Sequence, residues 1–471
     1  MGKLLDSNTK SLQNRGMVKQ ICCLTLLASA ILHAQSGIEG NWQGTLDVGA
    51  VKLRLGLHVT KNGSGEFTST FDSIDQGAMG IPLKVTTFST NTLHFELPSA
   101  HVTYDGKLSA DGNEIIGTFV QGAPLPLTFK RVEKVETMNR PQNPKPPFPY
   151  DAQEVTYEPT AGIKLAGTLT LPRGQGPFPA AILITGSGPQ DRDETLFGHK
   201  PFLVIADYLT RRGIAVLRVD DRGMGGSTGK STSETLDDMA GDVVAGVNFL
   251  KSRKEVEAKH IGVIGHSEGG TVGPMAAVRS PDIAFVVMLA GTSVPGDQVI
   301  DLQGEVMARA AGASAEALAH RHEEQMKFFD IVKSEKDEQA ALEKLRAAWR
   351  ETKPAGASDD AMDGEFKRLI TPEIRSIILT DPGEALRKLK VPVLALNGSR
   401  DVQVVPRQNL PVIVAALTAG GDSDFTVTEL PGLNHLFQKC RACTVAEYST
   451  IEETFSPLAL EIMGDWILRH K

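Results

Sequence analysis

Residues 261–269 read Ile-Gly-Val-Ile-Gly-His-Ser-Glu-Gly, a short apolar run that ends in a G-x-S-x-G pentapeptide. The apolar run is typical of a strand buried on both faces, and the residues that follow, Gly269–Arg279, are typical of a helix. Gly265 and Gly269 would remove side chains that collide with the neighbouring strand and helix. The stretch therefore predicts a sharp strand–turn–helix junction that exposes the side chain of Ser267.

The same alternation of strands and helices continues on both sides of this junction. Further buried strands are predicted at Ala180–Thr185, Ile214–Val219, Phe285–Ala290, Val391–Asn397 and, more briefly, Asp424–Glu429. Helices are predicted at Phe202–Arg212 and Ser233–Ser252. Strands that alternate with helices specify a mostly parallel sheet with helices on both faces. We therefore predict an α/β domain over residues 151–471.

The segment between Ala290 and Val391 departs from this alternation. It is rich in Ala, Glu, Lys, Arg and Leu and carries a partial apolar stripe at near-helical spacing. These residues are good helix formers. We predict a helical cap, inserted at about residues 296–386, over the carboxyl edge of the sheet.

Residues 37–136 have the period of antiparallel strands. Val51, Leu53, Leu55, Leu57 and Val59 occupy every second position, which predicts a strand with one buried face. Asn-Gly and Asp-Gly pairs separate such runs and favour hairpin turns. The pattern predicts a small antiparallel all-β domain, either a barrel or a sandwich.

A proline-rich segment, residues 137–150, follows the β domain. Residues 140–149 read RPQNPKPPFP, which can form neither a helix nor a central strand. The segment is predicted to be a semi-rigid linker between two folded units.

The N-terminus predicts export. Ile21–Leu32 is an apolar run that follows Lys19 and precedes the small residue Ala34, and it is too short to span a bilayer as a helix. We interpret residues 1–34 as a signal peptide, which places the mature chain in the periplasm or outside the cell with no membrane span. In such an oxidising compartment, a local disulfide between Cys440 and Cys443 is favoured over a redox or zinc site.

The composition narrows the classes of function. The 471 residues carry a net charge of −8, with 41% hydrophobic and 23% charged residues. Such a chain is an ordinary globular protein rather than a disordered one. Because no block of basic residues stands out, a nucleic-acid partner is not expected.

Three residues follow predicted strands in the order that a catalytic triad requires. Ser267 is the candidate nucleophile, Asp401 follows the strand Val391–Asn397, and His435 follows the strand Asp424–Glu429. A serine hydroxyl needs a base to take its proton, and the base needs a carboxylate to orient it. The order Ser, acid, His is the one expected for this architecture. Asp381 is a weaker candidate acid because it precedes its strand.

Two N–H groups are also needed to stabilise a tetrahedral oxyanion. One is expected from the backbone of Glu268, the residue after the nucleophile. The other is expected from the Gly-rich loop after Ala180–Thr185, with Ser187 as the first candidate and Gly188 as the alternative. His266 belongs to the turn itself and faces away from the position of a base.

With these motifs, the chain resembles the α/β-hydrolase superfamily, in particular serine-aminopeptidase-like bacterial carboxylesterases with an N-terminal β domain, of the EstD type. The matching segments are GSGPQDRDE (186–194), DDRGMGGSTG (220–229), GHSEGG (265–270), LNGSRDVQV (396–404), GLNHLF (432–437) and IEETFSP (451–457). The resemblance implies a carboxylic ester hydrolase without a metal or organic cofactor. Thr185 is a departure, since many hydrolases have His at that position.

Together these observations predict a serine carboxylesterase that acts on small acyl esters through an acyl-enzyme intermediate. A serine peptidase or aminopeptidase with the same triad is the alternative, and a binding protein whose β domain holds a ligand is the third candidate. Fold alone does not separate these functions. The small-molecule ester is the only partner expected, and an oligomer is left open.

Overall fold

The computed structural model describes residues 37–48, 52–354 and 356–470. The predicted signal peptide, residues 1–34, and Val51 of the first alternating run lie outside these residues. The described chain forms two β-sheets, one on each side of the proline-rich segment.

The first sheet contains nine antiparallel strands in the order β4-β3-β2-β1-β9-β8-β7-β6-β5. Their bounds are β1 Gly40–Asp47, β2 Lys52–Lys61, β3 Phe67–Ser73, β4 Ala78–Pro82, β5 Val85–Ser89, β6 Thr92–Leu97, β7 Val102–Leu108, β8 Glu114–Gln121 and β9 Ala123–Val132. In β2 the side chains of Leu55, Leu57 and Val59 are buried, as the alternating pattern predicts.

This first sheet curls so that its two ends meet. The Leu83 N–H donates to the Ser69 carbonyl at 3.0 Å, and the hydroxyls of Ser69 on β3 and Thr86 on β5 are hydrogen-bonded. Trp42 and Tyr104 are fully buried inside the curl. The result is a single curled antiparallel sheet around one aromatic core.

The second sheet contains eight strands in the order β10-β11-β13-β12-β14-β15-β16-β17. Their bounds are β10 Asp151–Thr160, β11 Ile163–Leu171, β12 Phe178–Ile184, β13 Ala215–Val219, β14 Val256–His266, β15 Val286–Leu289, β16 Val393–Gly398 and β17 Phe425–Leu430. The strands from β12 to β17 are parallel, whereas β10 and β11 form an antiparallel pair that joins antiparallel to β13. The sheet is therefore mixed.

Helices cover both faces of the second sheet. Their bounds are α1 Pro201–Arg211, α2 Leu236–Lys251, α3 Gly269–Arg279, α4 Gly296–Ala310, α5 Ala315–Ser334, α6 Glu338–Thr352, α7 Asp363–Leu369, α8 Pro372–Leu379, α9 Pro382–Leu386, α10 Pro406–Gly420 and α11 Pro457–Arg469. Ile182 belongs to the apolar core that includes residues of α2, α3 and α10, and the next residue, Leu183, belongs to the core that includes residues of α1 and α11. Because both faces are covered, the central strands β12 and β15 are apolar along their length.

The helices differ from the sequence prediction mainly at their starts. Helix α2 begins at Leu236 rather than Ser233, because the Thr235 side chain accepts from the Asp238 N–H and Asp238 in turn bonds the Thr235 backbone. Among the described residues, none of the helices has the length and apolar character needed to cross a membrane.

Helices α4 to α8 lie between β15 and β16 in the chain and form a core of their own. Phe329, Leu345, Phe366 and Ile378 are buried in it. This helical insertion occupies the part of the chain for which the cap is predicted. Its position relative to Ser267 is described with the site below.

The proline-rich segment is bonded to the second half of the chain along its length. The buried Arg140 guanidinium donates to the carbonyls of Phe197, Ser449 and Ile451 at 2.8–3.1 Å. Burial lowers the pKa of Arg140 to about 10. The Gln142 side chain bonds the backbone at Phe455 in both directions. The segment is thus docked rather than free.

We expect Arg140→Met to lower the free energy of unfolding by about 2–4 kcal/mol, because three carbonyls lose a charged donor. Urea unfolding followed by circular dichroism measures this change. Arg173→Met is the matched control, since Arg173 is exposed and makes one long bond at 3.3 Å. Equal stability of the two variants would contradict the docking role of Arg140.

Candidate active site

The turn between β14 and α3 holds Ser267 in a left-handed conformation, with φ at +55°. A Cβ on Gly265 would collide with the Gly269 carbonyl, and a Cβ on Gly269 would collide with the Ile184 carbonyl. Both glycines are therefore required by the close approach of three backbone segments. The turn raises Ser267 at the carboxyl end of β14, which is the geometry expected of a nucleophile elbow.

His435 and Asp401 form a buried pair in the loops that follow β17 and β16. Asp401 Oδ2 lies 2.8 Å from His435 Nδ1, and Asp401 Oδ1 accepts from the backbone N–H groups of Gln403 and Val404. The His435 and Asp401 side chains are 5% and 0% exposed. Asp401 therefore engages Nδ1 and leaves the other ring nitrogen, Nε2, without a contact to it. The pair has the form of an oriented general base.

Ser267 lines a cavity of about 170 Å³ between the sheet and the helical insertion. Apolar residues on α2, α4 and α8 form much of its wall, namely Leu236, Val299, Ile300, Ile374 and Ile377. Polar residues Ser187, Thr271, Thr292 and Gln303 also line it. The helical insertion thus supplies one side of a small pocket whose floor contains Ser267.

The loop after β12 offers N–H groups beside Ser267. The Gly186 N–H donates to Glu194 Oε1 at 2.8 Å, and the Gly188 N–H donates to Glu373 Oε1 on α8 at 3.1 Å. Within the part of the chain that the structure describes, the N–H groups of Ser187 and Glu268 have no acceptor. Of the two loop residues predicted for an oxyanion donor, Ser187 is therefore the one with a free N–H.

Thr185, the departure from the family pattern, anchors the base of this loop. Its hydroxyl donates to Asp221 Oδ1 at 2.7 Å, and the Gln190 N–H donates to Asp221 Oδ2 at 2.8 Å. Burial, opposed by these two bonds, raises the pKa of Asp221 to about 7. Asp221 therefore ties both ends of the loop to the end of β13.

The Glu268 side chain is a feature that sequence reasoning missed. The residue is 7% exposed, and both of its carboxyl oxygens are buried without a hydrogen-bond partner among the described residues. Burial raises the pKa of Glu268 to about 8, and the nearby charges of Glu373 and Asp221 add to the effect. Glu268 is thus a protonated acid at neutral pH, directly after the candidate nucleophile.

Two further residues lie behind the site: Glu194, for which no role is predicted, and His266, which is predicted only as part of the nucleophile elbow. Glu194 and His266 are paired at 2.8 Å, and His266 Nε2 lies 3.1 Å from the His435 carbonyl oxygen. Glu194 belongs to a quoted motif, but 72 residues separate it from His266. No local pattern in the sequence connects the two.

Cys440 and Cys443 form a disulfide in the loop that follows His435. The Cys440 N–H donates to the Gly432 carbonyl at 3.4 Å, and Leu433 pairs with Lys439 across the same loop. This hydrogen bond and this bridge close the loop that carries His435, and the disulfide begins where that loop ends. Among the described residues, no group of three or more His, Cys, Asp or Glu side chains is placed to hold a metal ion.

The chain is similar in sequence to known proteins over the region that contains this site. Residues 201–439 match the family described as serine aminopeptidase, S33. The esterase EstD of Thermotoga maritima is 30% identical over 272 residues, which cover 58% of this chain and 58% of that protein. The match thus spans less than two thirds of the curated relative.

The similarity to solved structures is more distant. Est1E from Butyrivibrio proteoclasticus, solved with ferulic acid, is 18% identical, with a TM-score of 0.40 over 67% of this chain and 98% of that chain. An esterase from Pyrococcus furiosus is 15% identical, with a TM-score of 0.42 over 71% of this chain and 98% of that chain.

We expect the free energy of unfolding to fall less with rising pH in Glu268→Gln than in the unchanged chain. Because the folded pKa of Glu268 is raised to about 8, the folded state keeps a proton that the unfolded state releases, so stability falls as pH rises from about 4.5 to 8. Glutamine removes this loss. Each pKa unit corresponds to about 1.4 kcal/mol, and we expect a relative gain of at least about 2 kcal/mol.

Urea unfolding of both proteins across this pH range measures the gain. Glu158→Gln is the matched control, because Glu158 is exposed and lies far along the chain on β10. If Glu268→Gln and Glu158→Gln show the same pH dependence, the buried acid at Glu268 is ruled out.

Proposed function

Because the chain belongs to the serine aminopeptidase S33 family of α/β-hydrolases, we propose that it is a serine carboxylesterase that hydrolyses small acyl esters. The observation that carries this proposal is the buried Asp401–His435 pair at 2.8 Å, together with Ser267 on its strained turn in the wall of a cavity. Asp401 accepts from Nδ1, so the unprotonated Nε2 of His435 is the atom available as a base.

In the first half of the proposed reaction, the Ser267 Oγ attacks the ester carbonyl carbon while its proton passes to His435 Nε2. Asp401 stabilises the imidazolium that forms. The carbonyl oxygen gains the negative charge, and the free N–H groups of Ser187 and Glu268 are the donors that would bind it. Preformed donors of this kind typically contribute a factor of about 10²–10³ each to the rate.

Collapse of the tetrahedral intermediate breaks the bond to the alcohol oxygen. His435 returns its proton to that oxygen, so the alcohol leaves neutral and the acyl group stays on Ser267 Oγ. Water then attacks the acyl carbon, with His435 again as the base, and the acid product leaves as Ser267 regains its proton. The two halves use the same residues and need no cofactor.

The cavity supports a small acyl group. Its volume of about 170 Å³ compares with the roughly 150 Å³ of an apolar cavity that holds one benzene molecule. A short aliphatic chain or a single ring fills such a space. Longer chains would require α4 or α8 to move, because Val299 and Ile374 form the facing wall.

The compartment is part of the same proposal. The predicted signal peptide over residues 1–34 would export the chain. The Cys440–Cys443 disulfide supports this proposal, because disulfides persist in oxidising compartments. N-terminal sequencing of the protein secreted by its source cells tests the proposed cleavage after Ala34.

We expect Ser267→Ala to lower kcat on p-nitrophenyl acetate by at least about 10³-fold, because the nucleophile is removed while the oxyanion donors remain. Circular dichroism and the melting temperature check that the fold is unchanged. Ser423→Ala, at an exposed position without side-chain bonds, is the matched control. Turnover by the Ser267→Ala protein within tenfold of the control would exclude Ser267 as the nucleophile.

We expect p-nitrophenyl acetate and butyrate to be hydrolysed at least about tenfold faster, in kcat/KM, than the octanoate ester. Overfilling a packed site costs about 1–3 kcal/mol, which is about a factor of ten or more. Aminoacyl-p-nitroanilides in the same panel test the peptidase alternative. Cleavage of the anilides alone would replace the esterase proposal with the peptidase.

A further inference from the structure

A second carboxylate–histidine pair, Glu194 and His266, is buried behind the candidate triad. Each of the two side chains is 7% exposed, and Glu194 Oε1 lies 2.8 Å from His266 Nδ1. The ring of His266 lies 4.8 Å from the ring of His435, measured between centroids. The mechanism proposed above does not use either residue.

The hydrogen bonds fix the protons of this pair. A carbonyl oxygen only accepts, so His266 Nε2, at 3.1 Å from the His435 carbonyl, carries a proton. Glu194 Oε1 also accepts from the Gly186 N–H at 2.8 Å, so this oxygen already serves as an acceptor. An acceptor oxygen beside His266 Nδ1 pairs with a protonated Nδ1. These contacts are those of an imidazolium, which carries a proton on both ring nitrogens.

The surroundings of His266 agree with this charge. The titratable groups that face it are Glu194, Asp401 and His435, and the rest of the wall is apolar, formed by Pro201, Phe202, Ile205, Leu289, Leu436 and Phe455. Burial alone lowers the pKa of His266, but the charge and hydrogen bond of Glu194 outweigh burial and raise it.

The backbone of Glu194 is held in place from its own loop. Its φ is +52°, a left-handed conformation that is strained for a residue with a side chain. The Glu194 N–H donates to the Asp191 carbonyl, and the Asp191 side chain accepts from Thr195 N and Oγ1. The loop thus maintains a strained residue whose carboxylate points at His266.

We propose that Glu194 and His266 are positioning residues for the proposed ester hydrolysis. Glu194 accepts from the N–H of Gly186, the neighbour of Ser187, and it also bonds His266, the neighbour of Ser267. His266 in turn bonds the backbone carbonyl of His435. Three hydrogen bonds thus hold the segments that carry the proposed donor, nucleophile and base. In addition, the positive charge of the His266 imidazolium disfavours protonation of His435, so His435 can act as a base at lower pH. This inference rests on the proposed function.

A merely structural pair would act differently. A buried ion pair contributes little net stability compared with apolar residues of the same size, and its loss would reduce activity only as far as the fold is lost. A positioning pair lowers kcat in protein that remains folded. Removal of a positioning pair also shifts the pH at which activity is lost, whereas removal of a structural pair does not.

The kinetic experiment uses the variants Glu194→Gln and His266→Gln in the full chain. We expect kcat on p-nitrophenyl acetate to fall by about 10–100-fold, with KM changed by less than about threefold, because misplaced groups slow the chemical step more than binding. The acidic limb of the pH–rate profile should move to higher pH by at least about half a unit in His266→Gln. The shift should be smaller in Glu194→Gln, where His266 becomes neutral and no unpaired carboxylate remains.

The controls are Glu257→Gln and His260→Gln, which break an ion pair of the same type at the other end of β14. That pair is 2.9 Å long and 33–40% exposed. The double variant of Glu194 and His266 gives a further test, because two residues that act as one unit lose less together than the product of their separate losses. Unchanged acidic limbs, or losses that multiply, would overturn the proposal.

A measurement without substitution in the pair separates this inference from the proposed function. In ¹⁵N-histidine-labelled Ser267→Ala protein, NMR at about pH 7 should show both nitrogens of His266 protonated, assigned by loss of the signal in a Ser267→Ala, His266→Gln protein. A neutral His266 would overturn the inference whatever the activity. If the unchanged chain hydrolyses no ester while His266 is charged, the ester proposal fails and the positioning role in ester hydrolysis fails with it, whereas the assigned charge state stands.

Discussion

The close approach of three backbone segments at Gly265 and Gly269 is the constraint on which the second half of the molecule depends. The carbonyls of Ile184 and Gly269 occupy the space where side chains would otherwise stand. Because β12 ends at Ile184, the loop that follows it begins directly beside Ser267. Ser267 and the loop N–H groups are therefore neighbours by backbone packing alone. No side-chain contact is needed to bring them together.

Around this backbone arrangement, four carboxyl groups at the site differ in what faces them. Asp401 and Glu194 each face a histidine, Asp221 faces a hydroxyl and an N–H, and Glu268 faces no partner. The pKa of Asp221 is raised to about 7 and that of Glu268 to about 8, since burial penalises the charged form. The four groups thus serve the site in different ways. Asp221 and Glu268 are harder to ionise than exposed carboxyl groups, and Asp401 and Glu194 orient histidine rings.

Much of this architecture follows from sequence pattern, because strands covered on both faces must be apolar at each position. The bounds of α3 agree with the prediction, and Ser267, Asp401 and His435 each follow a strand. By contrast, β10 alternates between exposed and half-buried residues at the sheet edge, which gave no buried-strand signal. The contacts of Arg140, and of Glu194 with His266, join loops far apart in the chain. Charged residues in loops are expected to be solvated, so their burial depends on which loops meet.

The bond between the Gly188 N–H and Glu373 joins the loop beside Ser267 to α8 of the helical insertion. A displacement of α8 that carries Glu373 out of hydrogen-bond reach would leave the Gly188 N–H without its acceptor. A ligand large enough to push α8 away would therefore meet a loop with two adjacent free donors, Ser187 and Gly188, where a smaller ligand meets one. The Glu373 carboxylate thus links the width of the pocket to the number of free N–H donors in the loop.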